Sequence, residues 1–249
     1  LHPPIIKENK AVYDILKLNV KTLPKTSYTI AIGDMDELDE KIQASAPYSI
    51  LKVKLGTPKN DKEIIRQIRL QTDKIIRVDA NEGWTYDMAK EMSFWLADRN
   101  IEFIEQPLHS KHDIKMDNLP IEVRKICAAD ESLHNPKDAE RLAHEPKKFG
   151  IYNIKLMKCG GINPSLKIAS SADSAGIDLM WGCMDESIIS ISAALHAAMA
   201  CKATKYIDLD GSFDLAKDLV SGGFNLKDGK MYINDTPGIG VKKLSTKFN

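Results

Sequence analysis

Short runs of β-branched and apolar residues alternate with longer amphipathic stretches along the chain. Eight of the short runs read as strands: Ser27–Gly33, Ile50–Gly56, Ile75–Asn81, Ile101–Pro107, Lys125–Ser132, Tyr152–Lys158, Ile177–Met184 and Thr204–Gly211. Helical patterns lie between them, such as Lys62–Thr72, Thr85–Asn100, Pro136–Glu145, Pro164–Ala175 and Ser187–Lys202. Asn135-Pro136 and Asn163-Pro164 look like helix starts, because proline at the first helical position gives up an N–H that has no partner there. Strands alternating with helices predict a parallel sheet, and eight strands are the number that closes a barrel. An open doubly wound sheet is the alternative, but its phosphate-binding GxGxxG is missing after the first strand.

Barrels of this kind place their chemistry at the C-terminal ends of the strands, and residues two apart on a strand share a face. The second strand ends Leu51-Lys52-Val53-Lys54, which puts Lys52 and Lys54 on one face. Asp79, Glu105 and Asp130 end the third, fourth and fifth strands, Lys155 and Lys158 the sixth, and Asp208 and Asp210 the eighth. One charge at a strand end ordinarily faces water. Charge at the same end of six strands is harder to dismiss. Three carboxylates from consecutive strands repel one another without a cation, and hard oxygen ligands suit Mg²⁺. Lysines on either side of that metal are placed to act as acid and base.

Composition narrows the picture without redirecting it. The 249 residues are 43% hydrophobic and 28% charged, as in ordinary globular proteins. A formal net charge of zero gives no electrostatic reason to expect nucleic acid or an acidic membrane as partner. No apolar run approaches the roughly eighteen residues of a membrane span. Cys127, Cys159, Cys183 and Cys201 are scattered, with no CxxC, and read as reduced core thiols. The start of the chain carries no signal-like segment, and a cytoplasmic location is the expectation.

The motifs on five successive strands resemble the muconate-lactonizing subgroup of the enolase superfamily. They are Lys52-Val53-Lys54, Asp79-Ala80-Asn81, Glu105-Gln106-Pro107, Asp130-Glu131-Ser132 and Lys155-Leu156-Met157-Lys158-Cys159-Gly160-Gly161. Gly182-Cys183-Met184-Asp185-Glu186-Ser187 and Asp208-Leu209-Asp210 narrow the resemblance to dipeptide epimerases. It implies a TIM-like modified (β/α)7β barrel, with Asp79, Glu105 and Asp130 binding Mg²⁺. It also implies that Lys54 and Lys155 stand on opposite faces of the substrate α-carbon, with Lys52 beside Lys54 to lower its pKa and favour the developing oxyanion. Asp208 and Asp210 would hold the α-ammonium of an Ala-Glu-like dipeptide, and Met184 would line the substrate site. Such groups carry out 1,1-proton transfer through an enediolate. Muconate cycloisomerase, o-succinylbenzoate synthase and N-acylamino acid racemase are the alternatives within the subgroup. The Asp208/Asp210 pair argues against them, because their substrates lack a free α-ammonium. A shortened, non-catalytic barrel is the alternative outside enzymology.

Some charges have plainer readings. Lys158, three residues past Lys155, is expected to point away from the barrel interior. Glu131 reads as a partner of a catalytic lysine or as a capping group. His109 and His112 read as loop residues, and His196 as packing. Asp208 and Asp210 would also suit an ordinary strand-to-turn exit. The resemblance further implies an N-terminal α+β cap of about a hundred residues. Only residues 1–24 precede the barrel of residues 25–211, so the cap is expected to be largely missing. Ala11–Asp14 reads as the last helix before the barrel. Residues 212–249 are expected to be the segment that returns to the cap, exposing apolar surface and an unpaired strand edge. Family members are often multimers, so a homo-oligomer fits the resemblance.

Overall fold

Alternation along each strand sorts its side chains between two surroundings. In β2 (Ile50–Lys54), Leu51 and Val53 are fully buried in one cluster with Ile64, Ile65 and Ile68, while Lys52 and Lys54 project the other way. The same division repeats along the chain. The computed structural model describes residues 9–17, 22–31, 37–57, 59–234 and 236–244. It arranges β1 (Tyr28–Ile30), β2, β3 (Ile75–Asp79), β4 (Ile101–Glu105), β5 (Cys127–Ala129), β6 (Ile151–Ile154), β7 (Asp178–Gly182) and β8 (Thr204–Asp208) in sequence order. Every neighbouring pair is parallel. A parallel bridge between Thr26 and Ile207 joins the last strand to the first and closes the barrel.

The helices are α1 (Val12–Ile15), α2 (Leu38–Ala44), α3 (Asp61–Gln71), α4 (Tyr86–Ala97), α5 (Ile121–Lys125), α6 (Pro136–Ala143), α7 (Leu156–Cys159), α8 (Ile162–Ala175) and α9 (Ile188–Ala200). Each strand-to-strand connection carries at least one, and the fourth also holds a 3₁₀ segment over Ser110–Asn118. β8 leads instead into β9 (Val220–Gly222), β10 (Phe224–Lys227), β11 (Lys230–Ile233) and β12 (Val241–Lys243), which form two antiparallel pairs. This is the (β/α)7β pattern expected. Ile32 and Gly33 of the first expected strand lie outside the described residues, as do residues 1–8 and 245–249 of the two terminal segments.

Most elements are shorter than expected, and two boundaries differ in ways that shape the chain near the site. Asn135 caps α6 with Pro136 at its first position, but the helix near Pro164 opens two residues earlier, at Ile162. Gly160 and Gly161, at φ 90° and 112°, make that entry, and Pro164 still falls in the first turn, where amides have no intrahelical acceptor. The sixth strand ends at Ile154, and Lys155 is already the N-cap of α7.

Inside the barrel, one end is apolar. Phe103, Ala128, Ile151, Met180 and Tyr206 form their own buried cluster, apart from the strand–helix core. Arg77 lies against the Phe103 and Tyr206 rings, 5.4 and 5.3 Å from their centroids, and donates to the Ile207 carbonyl at 2.6 Å and to Glu102 at 2.7 Å. Two residues beyond Arg77, Phe103 and Tyr206 the interior becomes ionic, with Asp79, Glu105 and Asp208. The segment after β8 packs β9, β11 and β12 against α9, and Asp218 accepts from Ser187 Oγ and the Ile188 amide at the start of that helix. Phe213, Leu219, Tyr232 and Leu244 of this segment stay exposed. All four cysteines are free. No helix among the described residues is long and apolar enough to cross a membrane.

His196 is fully buried in α9, as expected of a packing residue. It accepts the Tyr13 amide on Nδ1 at 3.0 Å and stacks on the Tyr13 ring. Burial pushes its imidazole down from the ordinary 6.5 to about 4. As pH falls from 6.5 toward 4, the unfolded chain takes up a proton that the folded chain refuses. The contribution is complete above that window and is lost within it, amounting to about 3 kcal/mol. His196→Gln is expected to flatten the fall in urea midpoint across this range, and an unchanged acid limb would contradict the assignment.

Candidate active site

The inward face of the strands delivers the charged residues to one end of the barrel. Asp79, Glu105 and Asp130 are buried, at 0%, 0% and 2% exposure, and one oxygen of each lies within 4.8 Å of the others. Lys52 Nζ sits among the carboxylates, 2.8 Å from Glu105 Oε2, 2.8 Å from Asp208 Oδ2 and 3.2 Å from Asp79 Oδ2. Lys54 reaches Asp79 and Lys155 reaches Asp130, each at 2.7 Å. All eight predicted charged residues therefore gather at the ends of β2, β3, β4, β5, β6 and β8. Met184 lies on the loop after β7, exposed, with its amide donating to Glu186 Oε1 at 2.8 Å.

Electrostatics set the resting state of this cluster. Burial pushes Glu105 up, the neighbouring Asp79 adds to it, and its carboxyl reaches about 7. Burial also opposes ionised Asp130, but Lys158 and Lys155 outweigh it and hold that carboxyl well below the usual range. Lys52 and Lys155 feel burial that would depress them, yet the carboxylates win and both are held above the ordinary lysine value. The sequence reading expects like charge and burial to lower a lysine here. That expectation concerns Lys54; Lys52 and Lys155 are instead each paired with a carboxylate before any substrate or metal is considered.

Lys158 departs from expectation. Because the strand stops at Ile154, the turn of α7 brings Lys158 back to the site, where it contacts Asp130 Oδ1 and donates to the Asp130 carbonyl at 2.7 Å and the Asn153 carbonyl at 3.2 Å. Asp208 is also more occupied than a free ammonium site would be, accepting from Ser27 Oγ on one oxygen and from Lys52 on the other. Asp210 is the more exposed of the pair and accepts the Thr29 amide at 3.0 Å. Burial and the charge of Asp208 push its carboxyl up to about 6. Glu131 has one buried oxygen, Oε2, without a hydrogen-bond partner, and Lys155 bonds Asp130 rather than Glu131. His109 pairs loosely with Glu82, 3.5 Å away, and its ring meets His112 edge-on outside the carboxylate cluster.

Two uncharged residues escaped the sequence reading. Gln106, buried and at φ 34°, fills its amide: Oε1 accepts the Asp130 and Ser132 amides, and Nε2 donates to Leu108 O and Ser132 Oγ. It thereby ties the end of β4 to the end of β5. Asn153 donates to Glu105 Oε1 at 2.6 Å. The signal for Asn153 was present, since it stands two residues before Lys155 on the same strand face.

Comparison with known proteins bears on this arrangement. Residues 34–244 match the family model described as enolase C-terminal domain-like. The chain belongs to this family. It is 50% identical to the L-Lys-D/L-Arg epimerase of Desulforapulum autotrophicum over 88% of this chain and 63% of that protein. It is 39% identical to the L-Ala-D/L-Glu epimerase of Bacteroides thetaiotaomicron, over 93% of this chain and 59% of that protein. The chain thus spans somewhat less than two thirds of these relatives. A crystal structure of the dipeptide epimerase of Methylococcus capsulatus with Mg and the dipeptide L-Arg-D-Lys superposes with a TM-score of 0.90 at 44% identity, covering 96% of this chain and 68% of that one.

Within this enolase-type barrel, the carboxylate row fits a hard divalent cation. Three oxygens converge from adjacent strands, and burial leaves them costly to ionise together without added positive charge. Glu105 Oε2 is buried and receives no aligned hydrogen-bond donor, only the nearby Lys52 ammonium. Mg²⁺ is therefore expected to raise the melting temperature, with about 2.7 kcal/mol of stabilisation at a hundredfold excess over Kd. Thermal melts with Mg²⁺ and with EDTA check this. The shift should vanish in Glu105→Ala, and a wild type that melts identically in both buffers contradicts the site.

Proposed function

We propose that this chain carries the catalytic barrel of a Mg²⁺-dependent dipeptide epimerase, which inverts the α-carbon of the C-terminal residue by 1,1-proton transfer. The placement of Lys54 and Lys155 carries this reading. They stand at the ends of β2 and β6, four strands apart and so facing each other across an eight-stranded barrel. Each ammonium touches an outer member of the carboxylate row. A substrate directed at that row lies between two amines.

The neutral amine on one face removes the α-proton, and the ammonium opposite returns a proton to the other face. For the reverse reaction the roles exchange. Asp79, Glu105 and Asp130 would hold Mg²⁺, which would supply positive charge to stabilise the developing enediolate and to offset the carboxylates that pair the lysines. Lys52, wedged among Asp79, Glu105 and Asp208, keeps its charge and adds a fixed cation beside that enediolate. Asp210, with Asp208 behind it, attracts the free α-ammonium of the dipeptide, and Met184 offers an apolar contact on the loop after β7.

The substrate we favour is a cationic dipeptide rather than the Ala-Glu type. The Desulforapulum relative and the Methylococcus complex both support that choice. Glu82, Glu131 and Asp185 support it too, because they place acidic side chains on the loops after β3, β5 and β7.

Chromatographic separation of epimers after incubation with Mg²⁺ tests the proposal. Lys-Arg and Arg-Lys dipeptides should be turned over with kcat/KM at least about tenfold above Ala-Glu. Lys54→Ala and Lys155→Ala should each lower kcat by about 10²- to 10⁴-fold. Epimerisation that survives both substitutions would contradict it.

The raised Asp210 carboxyl gives a pH signature. Above about 6 it is ionised and holds the α-ammonium; below, it protonates and loses that attraction. At saturating Mg²⁺, kcat/KM is expected to fall as pH drops through this value, mainly through KM. Asp210→Asn should show a high KM at every pH, and a retained step near pH 6 in that variant would refute the assignment.

A further inference from the structure

Glu105 is the central member of the carboxylate row, flanked by Asp79 on β3 and Asp130 after β5. Its two oxygens have different surroundings. Oε1 accepts Asn153 Nδ2 at 2.6 Å; Oε2 is buried without an aligned donor. In the ionised form that holds a cation, the Glu105 carboxylate only accepts, so the Asn153 amide turns its nitrogen toward Glu105 and its oxygen away. That oxygen, Oδ1, is buried and has no hydrogen-bond partner. Asn153 thus leaves one of its own groups unsatisfied while holding Glu105, an arrangement that costs free energy rather than contributing it.

Packing leaves room for the amide where it lies. A Cβ built on Gly182 of β7 would lie 2.5 Å from Asn153 Oδ1 and 2.9 Å from Nδ2. Glycine at that position leaves room for the amide to lie across the barrel interior toward β4. Asn153 serves the neighbouring ligand as well, since its backbone carbonyl receives Lys158, which contacts Asp130.

We propose that Asn153 is a positioning residue for the metal: by occupying Oε1, it presents Glu105 to the cation through Oε2 alone. The inference rests on the reading of Asp79, Glu105 and Asp130 as the Mg²⁺ ligands. Mg²⁺ demands near-ideal octahedral geometry, so a carboxylate free to rotate or to chelate through both oxygens binds it less well. Outer partners of this kind typically govern metal affinity by one to two orders of magnitude. Gly182 acts one step further out, through the space it leaves.

The test is Mg²⁺ affinity by isothermal titration calorimetry on wild type, Asn153→Ala, Gly182→Ala and the double variant, with thermal melts of each protein in EDTA. Asn153→Ala is expected to weaken Mg²⁺ binding by roughly 10- to 100-fold. Gly182→Ala, which removes no ligand and no hydrogen bond, is expected to weaken it in the same direction. The double variant should bind no worse than Asn153→Ala, because both act through the same amide. Melts in EDTA should not track the loss of affinity. Wild-type affinity in Asn153→Ala overturns the inference and leaves the metal site standing, as do additive losses in the double variant. Absence of Mg²⁺ binding by the wild type overturns the metal site and the inference together.

Discussion

Three carboxylates held in one buried cluster are the constraint on which this structure depends. Asp79 and Glu105 end adjacent strands and Asp130 follows the next, which brings one oxygen of each within 4.8 Å of the others. At an effective dielectric near 20, unit charges about 5 Å apart repel by about 3 kcal/mol, so the row stands only with positive charge beside it. Lys52, Lys54, Lys155 and Lys158 supply that charge, each in contact with a member of the row. The groups read as acid, base and electrostatic support for catalysis are therefore also what balances the interior. Removing one carboxylate frees a lysine, and removing one lysine strands a carboxylate.

The barrel accommodates this by dividing its interior. Aromatic and aliphatic side chains fill one end, with Arg77 anchored between two rings, and the ionic cluster fills the other. The seam between β8 and β1 belongs to both structure and site. Beyond the Thr26–Ile207 bridge, it is closed by Ser27 on Asp208, the Thr29 amide on Asp210 and the Leu209 amide on Thr26 Oγ1. The pair proposed to receive the substrate ammonium is thus built into barrel closure.

Much of this was legible in the chain because strands obey a period of two. Lys52 and Lys54, or Asp208 and Asp210, can be assigned to one face from spacing alone, and the apolar residues between them pack outward under the helices. Lys158 was misread because that period was carried past Ile154, where the chain turns into the short helix Leu156–Cys159. Gln106 and Asn153 were overlooked for another reason. Neutral amides give no charge signal, and their importance lies in what they hold. The ion pairs of Lys52 and Lys155 were out of reach as well, since sequence reveals which residues are charged but not how closely each ammonium is paired.

The central claim is that Lys54 and Lys155 act on opposite faces of one α-carbon. The most direct measurement follows α-proton exchange in D₂O by NMR, separately for each epimer of one dipeptide, in wild type, Lys54→Ala and Lys155→Ala. Wild type should exchange both epimers and interconvert them. Each variant should exchange a different single epimer and interconvert neither, because one amine remains on one face. Two variants with the same exchange pattern, or a variant that still inverts the centre, would contradict the two-faced assignment.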